Sequence, residues 1–254
     1  MSRAKVKFKE LSKEEKSEKI KDIIGTIVLI SFSIPITFLI GKIFTTQEGY
    51  IDPATNRGRS DYVLMLLQCV LGIVALVIPN RFFRNKGIQI PTTMSILYTL
   101  FLYCAISLGE IRNFYYVIPN WDTILHTFSG GMLGAIGFSF VSLLNKTDDL
   151  HLKLTPFFVT LFAFMFSITL GVVWEVYEFS FDGMFGLNMQ KFRIETGQPL
   201  VGRAALEDTM EDLIVDMVGA FIMTTVGYIS LKYKKGWVEK LLIKVKKRDK
   251  SQKE

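Results

Sequence analysis

Residues 155–179 read TPFFVTLFAFMFSITLGVVWEVYEF, and the first twenty of them carry no charged side chain. About 20 mostly apolar residues suffice to cross a bilayer whose hydrocarbon core is about 30 Å thick. Backbone polar groups in hydrocarbon must form hydrogen bonds within their own segment, so such a stretch is expected to be α-helical. The sequence therefore predicts a membrane-spanning helix here.

Five further apolar stretches repeat this pattern, with short polar segments between them: 23–44, 62–78, 92–108, 123–144 and 213–231. Half of all residues are hydrophobic, but the mean hydropathy is only +0.32 because both tails are densely charged. We therefore predict an all-α, polytopic transmembrane bundle of about six helices. It occupies residues 23–231 between charged tails at 1–22 and 232–254, and it includes a loop at 180–206.

The first apolar stretch is expected to remain in the protein as a membrane anchor. Thirteen of the 22 residues that precede it are charged, and no small-residue cleavage site follows it. The two cysteines, Cys69 and Cys104, fall inside predicted spans, where we expect small apolar fillers rather than a disulfide, a metal pair or a redox centre.

Basic residues are distributed unevenly between the two sides of the predicted bundle. The two tails and the connections after the second and fourth spans hold 23 of the 30 Lys and Arg residues. Positive charge is retained in the cytoplasm, so we predict a protein of the plasma membrane with both termini cytoplasmic. Basic tails beside a membrane favour anionic lipid headgroups, and we expect no nucleic-acid partner. The sequence does not indicate an oligomeric state.

The fourth span carries acid, imidazole and glycine on one face. Asp122, His126, Gly130 and Gly134 follow one another at intervals of four residues. The glycines would let another helix approach closely. Asp122 is open to a second interpretation as a first-turn acid favoured by the helix dipole. His126 lies one turn deeper, where a polar side chain is more often functional than idle.

The fifth span ends with two acids, Glu175 and Glu178, three residues apart and therefore on one face. Their repulsion would be relieved by protonation of one carboxylate or by a bound cation. The alternative is that both acids are solvated at the membrane surface, since Trp174 and Tyr177 are typical of an interfacial belt.

The sixth span opens with acids at several depths. Asp208 and Glu211 have the spacing of a capping box, which is a structural device. Asp212 and Asp216 share a face with Asp208, and Asp216 lies about 12 Å beyond it along a helix. A carboxylate at that depth costs about 2.5–3.5 kcal/mol unless it is paired, hydrated or bound to metal. We therefore expect Asp216 to belong to a buried polar site.

Topology predicts that these residues meet at one level near the outer surface, because spans four and six begin there and span five ends there. The predicted catalytic residues are His126, Glu175, Asp212 and Asp216. The first two are expected to act as metal ligands or as base and acid, and the aspartates as ligating or orienting groups. A divalent metal such as Zn, Mn, Fe or Mg is left open as a cofactor. Its predicted ligands are His126, Glu175, Glu178, Asp212 and Asp216, with Asp122 in a secondary role.

The loop at 180–206 overhangs this level and is rich in glycine and basic residues. It fits a lid over the site or an ordinary surface loop equally well. Arg203 is the predicted substrate-binding cation, for a phosphate or for one of the carboxylates, and Glu178 is the predicted substrate-binding acid.

The polar residues resemble the pattern of the uncharacterised bacterial integral membrane family that includes YjdF. The resemblance rests on Trp121-Asp122-(three)-His126, Trp174-Glu175-(two)-Glu178 and Asp212-(three)-Asp216-(two)-Gly219. The chain is more remotely similar to VanZ-like proteins, which are linked to glycopeptide-antibiotic resistance. The positions that match the VanZ-like pattern are Asp122, His126, Glu175, Arg203, Asp212 and Gly219. Glu178 replaces the usual Gln there, and Asp216 replaces the usual Asn. These resemblances imply a membrane protein of the cell envelope.

The sequence thus favours an envelope protein that binds or acts on a membrane lipid or a lipid-linked substrate at an outward-facing acid and histidine site. Two alternatives stay open. A proton- or cation-coupled transporter would use the same acids to bind its ion, although such sites usually lie near the midplane between internal repeats. A non-catalytic scaffold would use the cluster only to hold helices together.

Overall fold

A computed structural model describes residues 11–53, 55, 57–144, 154–194 and 197–245. The predicted tails lie partly outside these residues, and so do Lys146 and Lys153 in the connection after the fourth span. The structure is almost entirely helical, and within the described residues six helices are long and apolar enough to cross a membrane. The predicted all-α, six-helix transmembrane bundle is therefore confirmed.

The helices are α1 (Lys13–Thr45), α2 (Arg59–Asn85), α3 (Thr92–Leu102), the short α4 (Phe114–Val117), α5 (Trp121–Leu144), α6 (Pro156–Phe185) and α7 (Glu207–Lys232). A π-helix, Tyr103–Ile111, continues α3, and a 3₁₀ turn, Gly202–Leu206, precedes α7. Two short strands, β1 (Ile88–Gln89) and β2 (Lys244–Val245), pair antiparallel. The spans are thus α1, α2, α3 with its π-helix, α5, α6 and α7.

Local signals set several helix ends. Ser12 and Glu15 form a reciprocal capping box, which starts α1 inside the predicted charged tail. Thr155 caps α6 in front of Pro156, and Gly186 ends that helix in the left-handed conformation (φ 66°). Pro35 lies within α1.

The predicted capping box at Asp208 and Glu211 is wrong. Helix α7 begins at Glu207 with Leu206 as its N-cap and no side-chain cap. The Asp208 carboxylate instead accepts a hydrogen bond from Lys191, and Glu211 is exposed. The charged ammonium of Lys191 is a stronger partner for a carboxylate than a backbone amide of the first turn.

The spans pack as two groups of three. Helix α1 lies against α2 and α3, around a core that includes Phe32, Met65 and Cys69. Helices α5, α6 and α7 pack on one another. Many apolar side chains point away from both groups, among them Phe38, Phe179 and Phe221, each at least 60% exposed. An apolar perimeter of this extent is what a lipid environment requires.

The two ends of the bundle are distinct. At one end α5 and α7 begin and α6 ends; we call it the site end. Arg57 donates to the carbonyls of Glu110 and Ile111 there, which ties the α1–α2 connection to the end of the π-helix. At the other end β1 pairs with β2, and the amide of Ile243 donates to Ser139.

Candidate functional site

Polar side chains from three helices are buried together at the site end. His126 lies on α5, Glu175 and Glu178 on α6, and Asp212 and Asp216 on α7, and each is at most 8% exposed. Asp122, one turn before His126, is partly exposed. The structure therefore brings the predicted acid and histidine residues to one end of the bundle.

His126 is held by Asp216 through one ring nitrogen. Its Nδ1 lies 3.4 Å from Oδ2 of Asp216, and the Ser129 hydroxyl donates to Oδ1 of the same carboxylate at 3.0 Å. Asp216 is thus engaged on both oxygens. A carboxylate on one imidazole nitrogen fixes the ring orientation and directs the other nitrogen to its task.

The second ring nitrogen of His126 faces two carboxylates. Its Nε2 lies 3.7 Å from Oδ1 of Asp122 and 3.7 Å from Oδ2 of Asp212. One ligand atom from each of the three residues can be chosen so that all lie within 4.8 Å of one another. One imidazole and two carboxylates at such distances suit a divalent transition metal or Mg²⁺.

Glycines allow the three helices to approach closely enough to form this cluster. A Cβ on Gly130 would lie 2.3 Å from the Asp216 carbonyl oxygen, and one on Gly219 would lie 1.9 Å from the Thr127 carbonyl oxygen. On α6, a Cβ on Gly171 would lie 2.7 Å from Oδ2 of Asp216. Small residues between membrane helices commonly allow the two backbones to approach this closely.

The two glutamates of α6 are placed differently from each other. Glu178 accepts a hydrogen bond of 2.9 Å from the Trp174 indole. Glu175 is 5% exposed, and among the described residues no donor meets hydrogen-bond geometry at either of its oxygens. The Thr209 hydroxyl and the Gln190 amide nevertheless lie near enough to interact with this carboxylate. Neither glutamate belongs to the three-residue ligand group of Asp122, His126 and Asp212.

Lys191 is the site residue that sequence reasoning did not single out. Its ammonium donates to Asp122 and, at 2.6 Å, to Oδ1 of Asp208. Burial alone would lower the pKa of Lys191, but these carboxylates outweigh that effect and hold the pKa above its ordinary value. A lysine that is 27% exposed therefore already neutralises the rim of the acidic cluster.

The loop that carries Lys191 is fixed by its own hydrogen bonds. Asp182 accepts from the amides of Met189 and Gln190, and Asn188 exchanges two hydrogen bonds with the backbone of Arg193. Lys191 itself has a positive φ of 45°. No local pattern distinguishes Lys191 from Arg193 and Arg203 in sequence, because these tertiary contacts decide which cation turns inward.

Arg203 occupies a different position from Lys191. It lies in the 3₁₀ turn before α7 and is exposed, and among the described residues it forms no salt bridge with the cluster. Its predicted role in substrate binding stays a prediction, while the carboxylate-pairing role falls to Lys191.

A cavity of about 700 Å³ adjoins the cluster and runs between α2 and α3 on one side and α5 and α6 on the other. Asp122, His126, Glu178 and Lys191 line its polar end, whereas Glu175 and Asp212 do not line it. The π-helix contributes Glu110 from the opposite wall. Since π-helices occur frequently at functional sites, the irregular segment and the cluster point to the same space.

Comparison with known proteins gives a family but no function. Residues 51–233 match the family model described as "Predicted membrane protein (DUF2238)". An uncharacterized protein of Thermotoga maritima is 30% identical over 141 residues, which is 55% of this chain and 64% of that protein. No solved structure matches the chain. These matches support the expected uncharacterised membrane-protein family, while the resemblances to the YjdF family and to VanZ-like proteins stay predictions.

Proposed function

The chain belongs to the DUF2238 family of predicted membrane proteins. We propose that this membrane protein of the cell envelope binds or acts on a lipid or lipid-linked substrate at the His126 site. The site faces the outside of the cell in this proposal, as the charge distribution predicts. A divalent cation held by Asp122, His126 and Asp212 completes it.

One observation carries the proposal: His126 is oriented by Asp216 on Nδ1, while its Nε2 faces two carboxylates. A carboxylate on one ring nitrogen, here Asp216, commonly positions a histidine whose other nitrogen serves as a metal ligand or a general base. In a cluster that only held helices together, the same ring would be protonated and paired with all three aspartates. Metal binding at Nε2 therefore distinguishes the proposed site from a scaffold.

The residues divide into distinct roles. Asp122, His126 and Asp212 hold the cation, which would polarise a substrate oxygen or activate water. Asp216 positions the imidazole. Glu178 faces the cavity and is available to a substrate hydroxyl, and Glu175 is available to take up or release a proton.

The cavity supports a lipid substrate over a water-soluble one. Its polar end is formed by the cluster, and the remainder of its wall is largely apolar, including Leu64, Leu71 and Phe101. Pockets for small ligands combine an apolar lining with a few convergent polar groups, and their volumes range over about 300–1,000 Å³. A molecule with a polar head and an apolar body satisfies both parts of this cavity.

Activity can be tested with the full-length protein in vesicles made from a bacterial lipid extract. Mass spectrometry of the lipids should show a product that forms with the native protein and disappears with His126→Gln or with a chelator. His151→Gln, which changes the second histidine of the chain, should leave the product unchanged. Identical lipid profiles for the native protein and His126→Gln would contradict the proposal.

A further inference from the structure

We propose that the cavity between the two groups of helices binds the hydrocarbon chain of a lipid, inserted lengthwise from the site end. Only the placement of the lipid headgroup at the His126 site rests on the proposed function. The position of the chain follows from the shape and lining of the cavity itself.

The cavity follows one face of α2 deep into the bundle. Asp61, Leu64, Gln68, Leu71 and Ala75 all line it, at alternating intervals of three and four residues. At 1.5 Å per residue, the fourteen steps from Asp61 to Ala75 span about 21 Å. One leaflet of a bilayer contributes about 15 Å of hydrocarbon. The cavity is therefore long enough for a chain that crosses one leaflet.

Helix α5 gives a comparable depth on the opposite wall. Asp122 and His126 line the polar end, and Met132 and Leu133 line the cavity two to three turns further in. The eleven steps from Asp122 to Leu133 correspond to about 16 Å. Both walls therefore change from charged to apolar in the same direction.

Gln68, whose buried side-chain oxygen has no hydrogen-bond partner among the described residues, is the one polar group on this face of α2 below Asp61. Deeper than Gln68, the wall offers little to a polar ligand. Leu71, Ala75, Phe101 and Leu133 form much of this deep part. The Tyr98 hydroxyl, which also lies there, already donates to the Ala75 carbonyl at 3.2 Å. Burying a polar group without a partner is costly, whereas burying methylenes is favourable. A hydrocarbon chain is thus the occupant that suits the deep part.

A neutral headgroup makes the most direct probe, because the polar end contains more carboxylates than cations and would repel a free anion. The probe is hexadecyl glucoside with a diazirine near the middle of its chain, and the full-length protein is studied in phosphatidylcholine vesicles. After irradiation, mass spectrometry identifies the labelled residues. Competition by unlabelled hexadecyl glucoside is compared with competition by hexyl glucoside.

We expect labelling of α2 and α5 residues that line the cavity, competed by the hexadecyl but not by the hexyl compound. Ala75→Phe and Leu71→Trp each fill the deep part and should reduce this labelling about tenfold, since excluding even two methylenes changes affinity by that order. Val70→Phe is the matched control, because Val70 lies on α2 outside the cavity lining and is 44% exposed. Thermal unfolding checks that each variant is folded.

His126→Gln separates this inference from the proposed function. It should abolish product formation yet leave chain labelling intact, because the imidazole lies at the headgroup end. Labelling that is no stronger in the cavity than at Val70 would overturn the inference. So would cavity labelling that both filling variants leave unchanged.

Discussion

Nδ1 of His126 lies 3.4 Å from Oδ2 of Asp216, although ninety residues separate them in the chain. The contact joins α5 to α7 at the depth where Gly130 and Gly219 bring the two backbones together. The geometry of the imidazole therefore depends on helix packing as well as on its carboxylate partner.

The tautomer of His126 is the first prediction. In the zinc-loaded protein Nδ1 should carry the proton and Nε2 should be free of it, because Asp216 accepts from Nδ1. Nitrogen-15 NMR of histidine-labelled protein measures this directly, and a His151→Asn background leaves a single imidazole. Asp216→Asn should weaken the preference. A proton found on Nε2 would assign the two nitrogens the opposite way.

Replacing Gly219 by alanine should destabilise the protein by about 1–3 kcal/mol. The new Cβ would meet the Thr127 carbonyl oxygen at 1.9 Å, and backbone cannot move aside as a flexible side chain would. Gly183→Ala is the control, because nothing lies within 4 Å of its Cβ position inside α6. The control should be neutral or slightly stabilising. Chemical unfolding in detergent compares the two, and equal effects would rule out the tight crossing.

Removing the Lys191 ammonium should expose a requirement for another cation. Lys191→Met leaves Asp122 and Asp208 without their shared partner, at a cost of about 2 kcal/mol for groups that are partly exposed. Added divalent cations should restore much of the loss. Lys235→Met removes an exposed lysine at the other end of the bundle. It should change neither the stability of the protein nor the effect of added divalent cations on that stability. Thermal unfolding with and without cation measures both effects.

The contribution of Lys191 to the stability of the folded protein should also persist over a wide pH range. Its pKa is raised in the folded protein, so the stabilisation is fully present below the unfolded value of about 10.4 and is lost only as pH rises through the folded value. The stability difference between native protein and Lys191→Met should therefore not decline between about pH 7 and pH 9. A decline over that interval would mean that the ammonium is not paired.

Hydrophobicity was enough to predict the fold, because six apolar stretches can satisfy their backbone in lipid only as helices. The common level of His126 and Asp216 was predictable too, since topology alternates the direction of successive spans. The inward turn of Lys191 was not, because it depends on contacts of Asn188 and Asp182 within a folded loop. Asp208 pairs with Lys191 of the same loop, which explains why its capping box was wrongly predicted.

The orientation of the bundle is open to a labelling test. Gln198→Cys places an exposed thiol in the loop at the site end, and Lys235→Cys places one beyond the opposite end. In a Cys104→Ala background, with Cys69 fully buried, a membrane-impermeant maleimide should label only the first variant in intact cells. The second should react after permeabilisation. The reverse pattern would place the site on the cytoplasmic side.

Metal content tests the central claim most directly. The purified protein, equilibrated with Zn²⁺ or Mn²⁺ and washed, should retain about one ion per chain by elemental mass spectrometry, as a three-ligand site with an open position would. His126→Gln and Asp212→Asn should each lose that ion, whereas His151→Gln should retain it. No retained ion in the native protein, or equal retention in all four proteins, would contradict a metal centre at Asp122, His126 and Asp212.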